Sequence, residues 1–478
     1  MRNGTAFLVV ASLGFILMVG SSPGLAQTAP SAGQTSFGKN ILISGSDPNG
    51  QSQNETAIAV NPANPSNLVA VFQGRYGTTG PSGCFFTFTL NGGKNWNPGG
   101  KAPLQRIDDE CFDPSIAADA AGNFYYSYID VDASFTEADD VVAKSIDGGR
   151  TFAMFSVAVN QVPGDTSSPS PDKDFIGVDA GAGSPFRASL YVGFTDFTGG
   201  GENIEVVVSR DGGSTWSAPM VVARPVKNER PRMDRFGALP VIAADGTVHM
   251  FYSEFPDSPI MGQLSIRHSR STDGGATWSP PVAVGSSLPS PGFFDLRNAD
   301  PQFGITPNRG MNGLTYPAAA VAPDGTLYVA WVDFPLGSCV FFTAFDNPAC
   351  TDADVRLSSS RDGGTTWSAP VRVSDDTGTS DQFLPWIATH PDGRLSLSWL
   401  DRRSDPSNIS YDAFYTNTLD GLNFLPNVRI STASSLLGVN DFIGHYTGLA
   451  VSGSSVFPVW GDTRNGNSDI FSALGKIR

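Results

Sequence analysis

Four closely similar peptides recur along this chain and constrain its fold more than any other feature. They read SIDGGRTF (145–152), SRDGGSTW (209–216), STDGGATW (271–278) and SRDGGTTW (360–367), and worn copies end at Trp96 and Phe424. Each peptide follows an apolar or alternating stretch and precedes a β-rich run, so it predicts the turn of a β-hairpin. Aspartate and threonine side chains can bond to the backbone of such a turn, which indicates a structural role. The aspartates concerned are Asp147, Asp211, Asp273 and Asp362.

A second pattern lies between these peptides and predicts four strands, A to D, in each repeating unit. Apolar strands such as TLYVAWVD (326–333) and RLSLSWLDRR (394–403) occur seven times, each with another apolar strand upstream. Short antiparallel strands with this period are typical of a propeller. We therefore predict an all-β, seven-bladed β-propeller in a single domain over 38–478, with a six-bladed ring or a pair of β-sandwiches as alternatives.

The N-terminal region carries two further signals. NILISGSD (40–47) resembles the strand-D sequences, and the last unit lacks its strand D, so an N-terminal strand is expected to close the ring. Residues 1–26 have a positive start, a short apolar run and a small-residue cleavage site, which predict a secretory signal peptide; a membrane anchor is the alternative. We expect a flexible segment over 27–37 and a secreted or periplasmic protein without a membrane span once the signal peptide is removed.

The cysteines and the net charge limit which cross-links, metals and partners are expected. In an exported protein the four cysteines predict disulfides, and we favour the two local pairs, Cys84–Cys111 and Cys339–Cys350. No CxxC or HxxxH spacing supports a zinc site. The net charge of −16 disfavours nucleic acid as a partner, because an acidic surface repels phosphate backbones. We expect the protein to be a monomer.

The Ser-x-Asp-Gly-Gly-x-Thr-Trp repeats resemble the Asp boxes, or BNR repeats, of bacterial exo-α-sialidases and related secreted glycoside hydrolases. This resemblance implies a sialidase-type hydrolase that acts on extracellular glycans or glycoproteins and requires no cofactor. It also implies an arginine cluster for the substrate carboxylate, a tyrosine nucleophile held by a glutamate, and an aspartate acid/base. Similar propellers also serve in binding, so a non-catalytic propeller that binds glycans or proteins is the alternative function.

Propeller topology indicates where such a site would lie. The D–A and B–C connections share one face of the ring, and ligands usually bind there near the central channel. Residues before strand A on this face supply an acid/base candidate, Asp113, a nucleophile candidate, Tyr446, and a base, Glu55. Residues after strand B supply four arginines as candidate substrate ligands: Arg75, Arg402, Arg403 and Arg464.

Each of these assignments has a structural alternative. The Trp-x-Asp-x-Arg motif, at 399–403 and 460–464, is also the pattern of an ion pair that ties a loop to its blade. The acidic residues before strand A are alternatively ligands of a structural Ca²⁺, which favours oxygen ligands. Tyr446 and its neighbour His445 are alternatively a cap on the channel. The chain contains no nucleotide-binding fingerprint, which disfavours a cofactor-dependent oxidoreductase.

Overall fold

The computed structural model describes most of the chain from residue 33 onward. The described ranges are 33–45, 52–75, 82–198, 202–224, 233–256, 263–285, 288–289, 316–333, 352–436 and 443–478. The predicted signal peptide and the pair Cys339–Cys350 therefore lie outside the described residues. Among the described residues, none belongs to a helix with the length and apolar character needed to span a membrane.

Within the described ranges, twenty-nine strands form seven antiparallel sheets, which confirms the predicted seven-bladed β-propeller. Blades one to three contain β2 (Ser52–Val60), β3 (Leu68–Arg75), β4 (Ser82–Thr89) and β5 (Asn97–Lys101); β6 (Glu110–Ala118), β7 (Phe124–Val131), β8 (Ala138–Ser145) and β9 (Met154–Val159); and β10 (Pro171–Val178), β11 (Leu190–Asp196), β12 (Asn203–Ser209) and β13 (Met220–Ala223). Blades four and five contain β14 (Met233–Ile242), β15 (Val248–Pro256), β16 (Gln263–Ser271), β17 (Val282–Ala283) and β18 (Leu288–Pro289); and β19 (Ala318–Val321), β20 (Leu327–Asp333), β21 (Asp354–Ser360) and β22 (Val371–Arg372). Blade six contains β23 (Gln382–Thr389), β24 (Leu395–Asp401), β25 (Asp412–Thr418) and β26 (Val428–Arg429).

Blade seven is completed by the N-terminal strand, as the sequence predicts. Its sheet contains β27 (Gly448–Ser452), β28 (Ser455–Asp462), β29 (Asp469–Ile477) and β1 (Thr35–Leu42). Strand β1 pairs with β29 from Thr35 opposite Ile477 to Leu42 opposite Phe471. The strand begins within the segment 27–37 that the sequence predicts to be flexible. This pairing covers the edge of the last blade and closes the ring.

The repeated peptides form tight turns held by their aspartates. In blade five, the Asp362 carboxylate accepts hydrogen bonds from the Ser360 hydroxyl (2.8 Å), the Thr366 amide (2.9 Å) and the Thr366 hydroxyl (2.6 Å). Asp147, Asp211 and Asp273 accept the corresponding bonds in blades two, three and four. These contacts are internal to each turn, so the geometry is that of an architectural element.

Each turn also packs against the preceding blade. The second glycine of the blade-two turn, Gly149, has a φ of +83°, and a Cβ there would lie 2.1 Å from a methyl carbon of Val69 in blade one. Positive φ and close approach are both conditions that favour glycine. The predicted disulfide between Cys84 and Cys111 is present and joins β4 to β6, with 5.4 Å between their Cα atoms. Blades one and two are therefore linked both by packing and covalently.

Candidate functional site

Strand A carries the same irregularity in five blades. The register between strands A and B shifts at the places marked by Glu55, Asp113, Lys173, Gly237 and Leu384. All five residues have φ between 48° and 78°, in the left-handed region. A β-bulge of this kind turns a side chain away from its regular direction, and such bulges are frequent beside active sites. The bulges place one residue from each of these blades at the channel end of strand A.

Lys173 is the centre of the resulting cluster. Its ammonium nitrogen lies 3.9 Å from an Asp113 carboxylate oxygen, and the Lys173 side chain is 1% exposed. The same nitrogen lies 3.9 Å, 4.0 Å and 5.6 Å from the ring centroids of Phe175, Tyr446 and Tyr316. These partners come from blades two, three, five and seven, so Lys173 lies near the axis of the ring. Aromatic faces attract a desolvated cation and help to stabilise its charge at this depth.

Glu55 and Asp113 form a carboxyl pair beside Lys173. Glu55 is 3% exposed, and its carboxylate lies 2.7 Å from His445 Nδ1. Burial acts to raise the pKa of Glu55, but the hydrogen bond and charge of His445 and the charge of Lys173 outweigh it, and the pKa is lowered. Burial, followed by repulsion from Glu55, raises the pKa of Asp113 to about 6. The two carboxyl groups share a hydrogen bond, and below about pH 6 Asp113 is protonated while Glu55 is ionised.

Three further acids lie around this pair. Burial raises the pKa of Asp172 and of Asp174 to about 7, and it raises that of Asp140 well above its usual range. Both carboxyl oxygens of Asp140 are buried without a hydrogen-bond partner, as expected for a desolvated acid that stays neutral. No three His, Cys, Asp or Glu side chains of the described residues are placed to hold a metal ion. Asp113 lies beside Lys173, whereas Asp381, another acid before strand A, pairs with Arg402.

The structure places Tyr446 in this cluster without activating its hydroxyl. The Tyr446 hydroxyl donates a hydrogen bond to the Pro114 carbonyl oxygen (2.9 Å), and the residue is 2% exposed. Burial and the charges of Glu55 and Asp113 raise its pKa well above the usual range. A nucleophilic tyrosine needs a neighbouring base on its hydroxyl, and here the proton is directed to a backbone carbonyl. Tyr446 thus forms one wall of the aromatic cage around Lys173. This position resembles the channel cap, the alternative role for Tyr446, more than it resembles that of a nucleophile.

The candidate substrate-binding arginines are engaged in ion pairs. Arg402 is 1% exposed and lies 3.4 Å from the Asp381 carboxylate. Arg403 and Arg464 lie 2.7 Å and 2.6 Å from the carboxylates of Asp401 and Asp462 two residues before them. This is the loop-tying ion pair that the Trp-x-Asp-x-Arg motif also predicts. Arg75 ends β3, and its side chain is outside the described set.

Two members of the cluster escaped the sequence analysis. Lys173 stands between two aspartates in the peptide PDKDF, at the position that corresponds to Glu55 and Asp113 in their blades. This correspondence indicates the position of Lys173 in its blade, but not the contacts of its side chain. Asp140 lies in strand C, which topology places farther from the channel, and only the fold brings it to the cluster.

A groove of about 240 Å³ lies elsewhere, between Ser44 and strands β4 and β5. Phe85 and Phe86 line it, and Lys101 is its one charged lining residue. The residues that line the groove include no carboxyl group. We therefore take the channel cluster as the candidate site, because acid–base chemistry needs paired titratable groups.

Sequence comparison identifies the repeat. A family model described as a BNR repeat-like domain matches residues 197–301. The predicted resemblance to BNR-repeat proteins is thereby confirmed. No curated protein matches the sequence of this chain.

Solved structures share the propeller architecture at low sequence identity. A Dyadobacter fermentans protein of unknown function is 13% identical over 93% of this chain and 99% of its own, with a TM-score of 0.52. An ulvan lyase, from a new family of polysaccharide lyases, is 8% identical over 92% of this chain and 96% of its own, with a TM-score of 0.53. A Hadza microbial sialidase is 15% identical over 84% of this chain and 73% of its own, with a TM-score of 0.44. For the two structures with TM-scores above 0.5, likeness at this level of identity extends to the fold alone.

Proposed function

We propose that this protein is a glycan-acting enzyme, a glycoside hydrolase whose general acid is Asp113. The observation that carries the proposal is the buried carboxyl pair with pKa values displaced in opposite directions, up to about 6 for Asp113 and downward for Glu55. Glycosidases need one carboxylic acid that stays protonated and one carboxylate that stays charged. The signal peptide predicted over 1–26 and the Cys84–Cys111 disulfide support a substrate outside the cytoplasm.

The geometry suggests a division of labour between the two carboxyl groups. Asp113, 9% exposed, would donate its proton to the glycosidic oxygen as the bond to the sugar breaks. Glu55, kept ionised by His445 and Lys173, would stabilise the positive charge that develops on the sugar. Water supplies the hydroxyl group of the released sugar, and a proton from that water restores Asp113. Because Glu55 and Asp113 share a hydrogen bond, the two carboxyl groups are too close to flank a sugar ring from opposite sides. Both would therefore act from the same side of the sugar.

Sialidase-type hydrolysis is the narrower form of this proposal. It requires arginines that bind the substrate carboxylate, and Arg402, Arg403 and Arg464 already bind aspartates. We therefore propose hydrolysis of glycosidic bonds in general, with a sialoside as one arm of the test. The second candidate is a non-catalytic glycan-binding propeller, which is favoured by the low exposure of Glu55 and by the aromatic cage around Lys173.

Hydrolysis assays with matched variants test the proposal. Mature protein would be assayed against aryl glycosides of neutral sugars, neutral oligosaccharides and a fluorogenic sialoside. Asp113→Asn should lower kcat/KM by about 100-fold or more, and wild-type activity should fall as the pH rises through about 6, because Asp113 loses its proton. Asp392→Asn, an exposed acid between β23 and β24, is the control and should retain activity. Full activity in Asp113→Asn would refute the assignment, and binding without turnover would favour the non-catalytic propeller.

A further inference from the structure

A rigid rim stands beside the carboxyl pair on blade two. We call residues 105–109, between β5 and β6, and 132–137, between β7 and β8, the blade-two rim. The Gln105 amide donates to an Asp130 carboxylate oxygen (2.7 Å), and its side-chain amide donates to Asp139 (2.7 Å). The Arg106 guanidinium lies 2.7 Å from Glu137. These contacts join the two connections, so the rim has a fixed shape before any ligand arrives.

The rim holds one aromatic side chain out toward solvent. Phe135 is 61% exposed, and its φ of 56° is rare for a bulky residue. Asp132 fixes this conformation, because its carboxylate accepts the amide hydrogens of Ser134 (3.0 Å), Thr136 (2.6 Å) and Glu137 (2.6 Å). A strained backbone that presents a large apolar ring to water is a feature that stability alone does not explain.

Phe135 is connected to the candidate site through one other ring. Its centroid lies 6.3 Å from that of Phe112, with the two ring planes inclined at 58°. Phe112 is half-buried and directly precedes Asp113 in β6. Phe135 is therefore connected to the proposed general acid through one intervening residue, Phe112. Ile107, 95% exposed on the other segment of the rim, adds apolar surface.

We propose that Phe135, with Phe112 as its wall, binds an uncharged sugar ring of an oligosaccharide whose next part reaches Asp113. This inference rests on the proposed function and names its substrate class. The C–H face of a sugar ring is apolar and can stack on an aromatic ring, while its hydroxyl groups stay in water. The apolar area consists of a few side chains, smaller than a stable protein interface requires, which favours a sugar over a protein partner.

Charge decides between neutral and anionic sugars. Asp108, Asp109, Asp132 and Glu137 make the rim acidic, and its one arginine, Arg106, is paired with Asp109 and Glu137. The carboxyl cluster below the rim and the net charge of −16 add to the same negative field. Such a field repels a sialic or uronic acid and leaves an uncharged sugar unaffected. The rim therefore fits a neutral oligosaccharide.

Direct binding measurements test the inference apart from catalysis. Calorimetric titrations of the Asp113→Asn protein would use xylohexaose, arabinohexaose and cellohexaose as neutral probes and 3′-sialyllactose as the anionic probe. At least one neutral hexaose should bind more tightly than sialyllactose. Adding Phe135→Ala should weaken that binding about tenfold, whereas Phe135→Trp should preserve it. Phe155→Ala is the control, because Phe155 is an exposed ring (43%) on β9 of the same blade, and it should leave binding unchanged.

The possible results separate this inference from the proposed function. Equal hexaose affinity with and without Phe135→Ala, no hexaose binding, or preferential binding of sialyllactose would each overturn the inference. If hexaose binding depends on Phe135 but the Asp113→Asn variant hydrolyses glycosides normally, the rim remains the binding site. In that case the assignment of Asp113 as the general acid is wrong. In the active enzyme, Phe135→Ala should raise KM for the bound hexaose about tenfold, whereas the control Phe155→Ala should leave that KM unchanged.

Discussion

Replacing Arg464 by alanine should destabilise the closed ring rather than remove a ligand contact. The Arg464 guanidinium binds Asp462 through Nε (2.8 Å) and Nη2 (2.6 Å), and it also donates to Thr432 and Asn40 at 3.0 Å each. Asn40 belongs to the closing strand β1, so one side chain connects strands of blades six and seven to the ring closure. The same guanidinium lies 4.4 Å from the ring centroid of Phe471.

The size of the effect follows from the burial of Asp462. This residue is 0% exposed, and without Arg464 its carboxylate would keep the Trp460 indole as its side-chain donor. Removing one partner of a buried ion pair costs about 3–5 kcal/mol, and the 17% exposure of the Arg464 side chain favours the lower end of that range. We expect a loss of about 3 kcal/mol. With roughly 2.1 cal/mol/K per residue over roughly 440 residues, this corresponds to a fall of about 3 °C in Tm.

Guanidinium unfolding followed by tryptophan fluorescence, together with calorimetry, would measure this loss. Arg464→Ala and Asp462→Asn form a double-mutant cycle whose coupling should reach about 2 kcal/mol. Arg150→Ala, at an exposed turn, is the control and should change stability by less than about 0.5 kcal/mol. Unchanged stability in Arg464→Ala, accompanied by lost glycan binding, would refute the structural interpretation and restore Arg464 as a substrate ligand.

Three further perturbations test the packing, the covalent link and the buried histidines. Replacing Cys84 and its partner by serine removes a link across 27 residues and should lower the free energy of unfolding by about 3.5 kcal/mol, as measured by denaturant titration. Gly149→Ala should cost at least about 2 kcal/mol more than Gly164→Ala in the same titration, because both have φ near +80° but only Gly149 contacts Val69. The pKa of His249 is lowered to about 4 by burial, so the unfolded chain gains its proton first and stability should fall as pH drops from about 6.5 to 4. His249→Gln should reduce that slope by up to about 1.4 kcal/mol per pH unit, and an identical slope in both proteins would contradict the assignment.

The fold was predictable because its determinants are local and repeated. The Asp-Gly-Gly turns, with their left-handed glycines, define hairpins within single peptides. Seven copies of one four-strand pattern then leave few arrangements other than a ring. The closing role of β1 was also visible, because its sequence resembles the strand that the last blade lacks.

The site was predictable only in part, because its contacts depend on distances across the ring. Glu55 and Asp113 were found, since both carry carboxyl groups next to the apolar stretch of an A strand. The hydrogen bond from Tyr446 to Pro114 spans 332 residues of sequence, and no local pattern predicts it. Lys173 was missed because one lysine among aspartates is indistinguishable from a surface charge until the cage around it is known.

Repetition itself separates architecture from chemistry in this chain. A residue that recurs at one position of several blades, such as the turn aspartates or Arg403 and Arg464, performs the same local task each time, and the structure shows a hydrogen-bonded turn or an ion pair. The bulge of strand A does the opposite, because it repeats a backbone conformation while the side chain changes. Gly237 at this position leaves room for Tyr316, since a Cβ there would lie 2.3 Å from a Tyr316 ring carbon. Chemistry should therefore be sought where the backbone repeats and the side chain does not. In chain order the five bulged positions hold Glu55, Asp113, Lys173, Gly237 and Leu384.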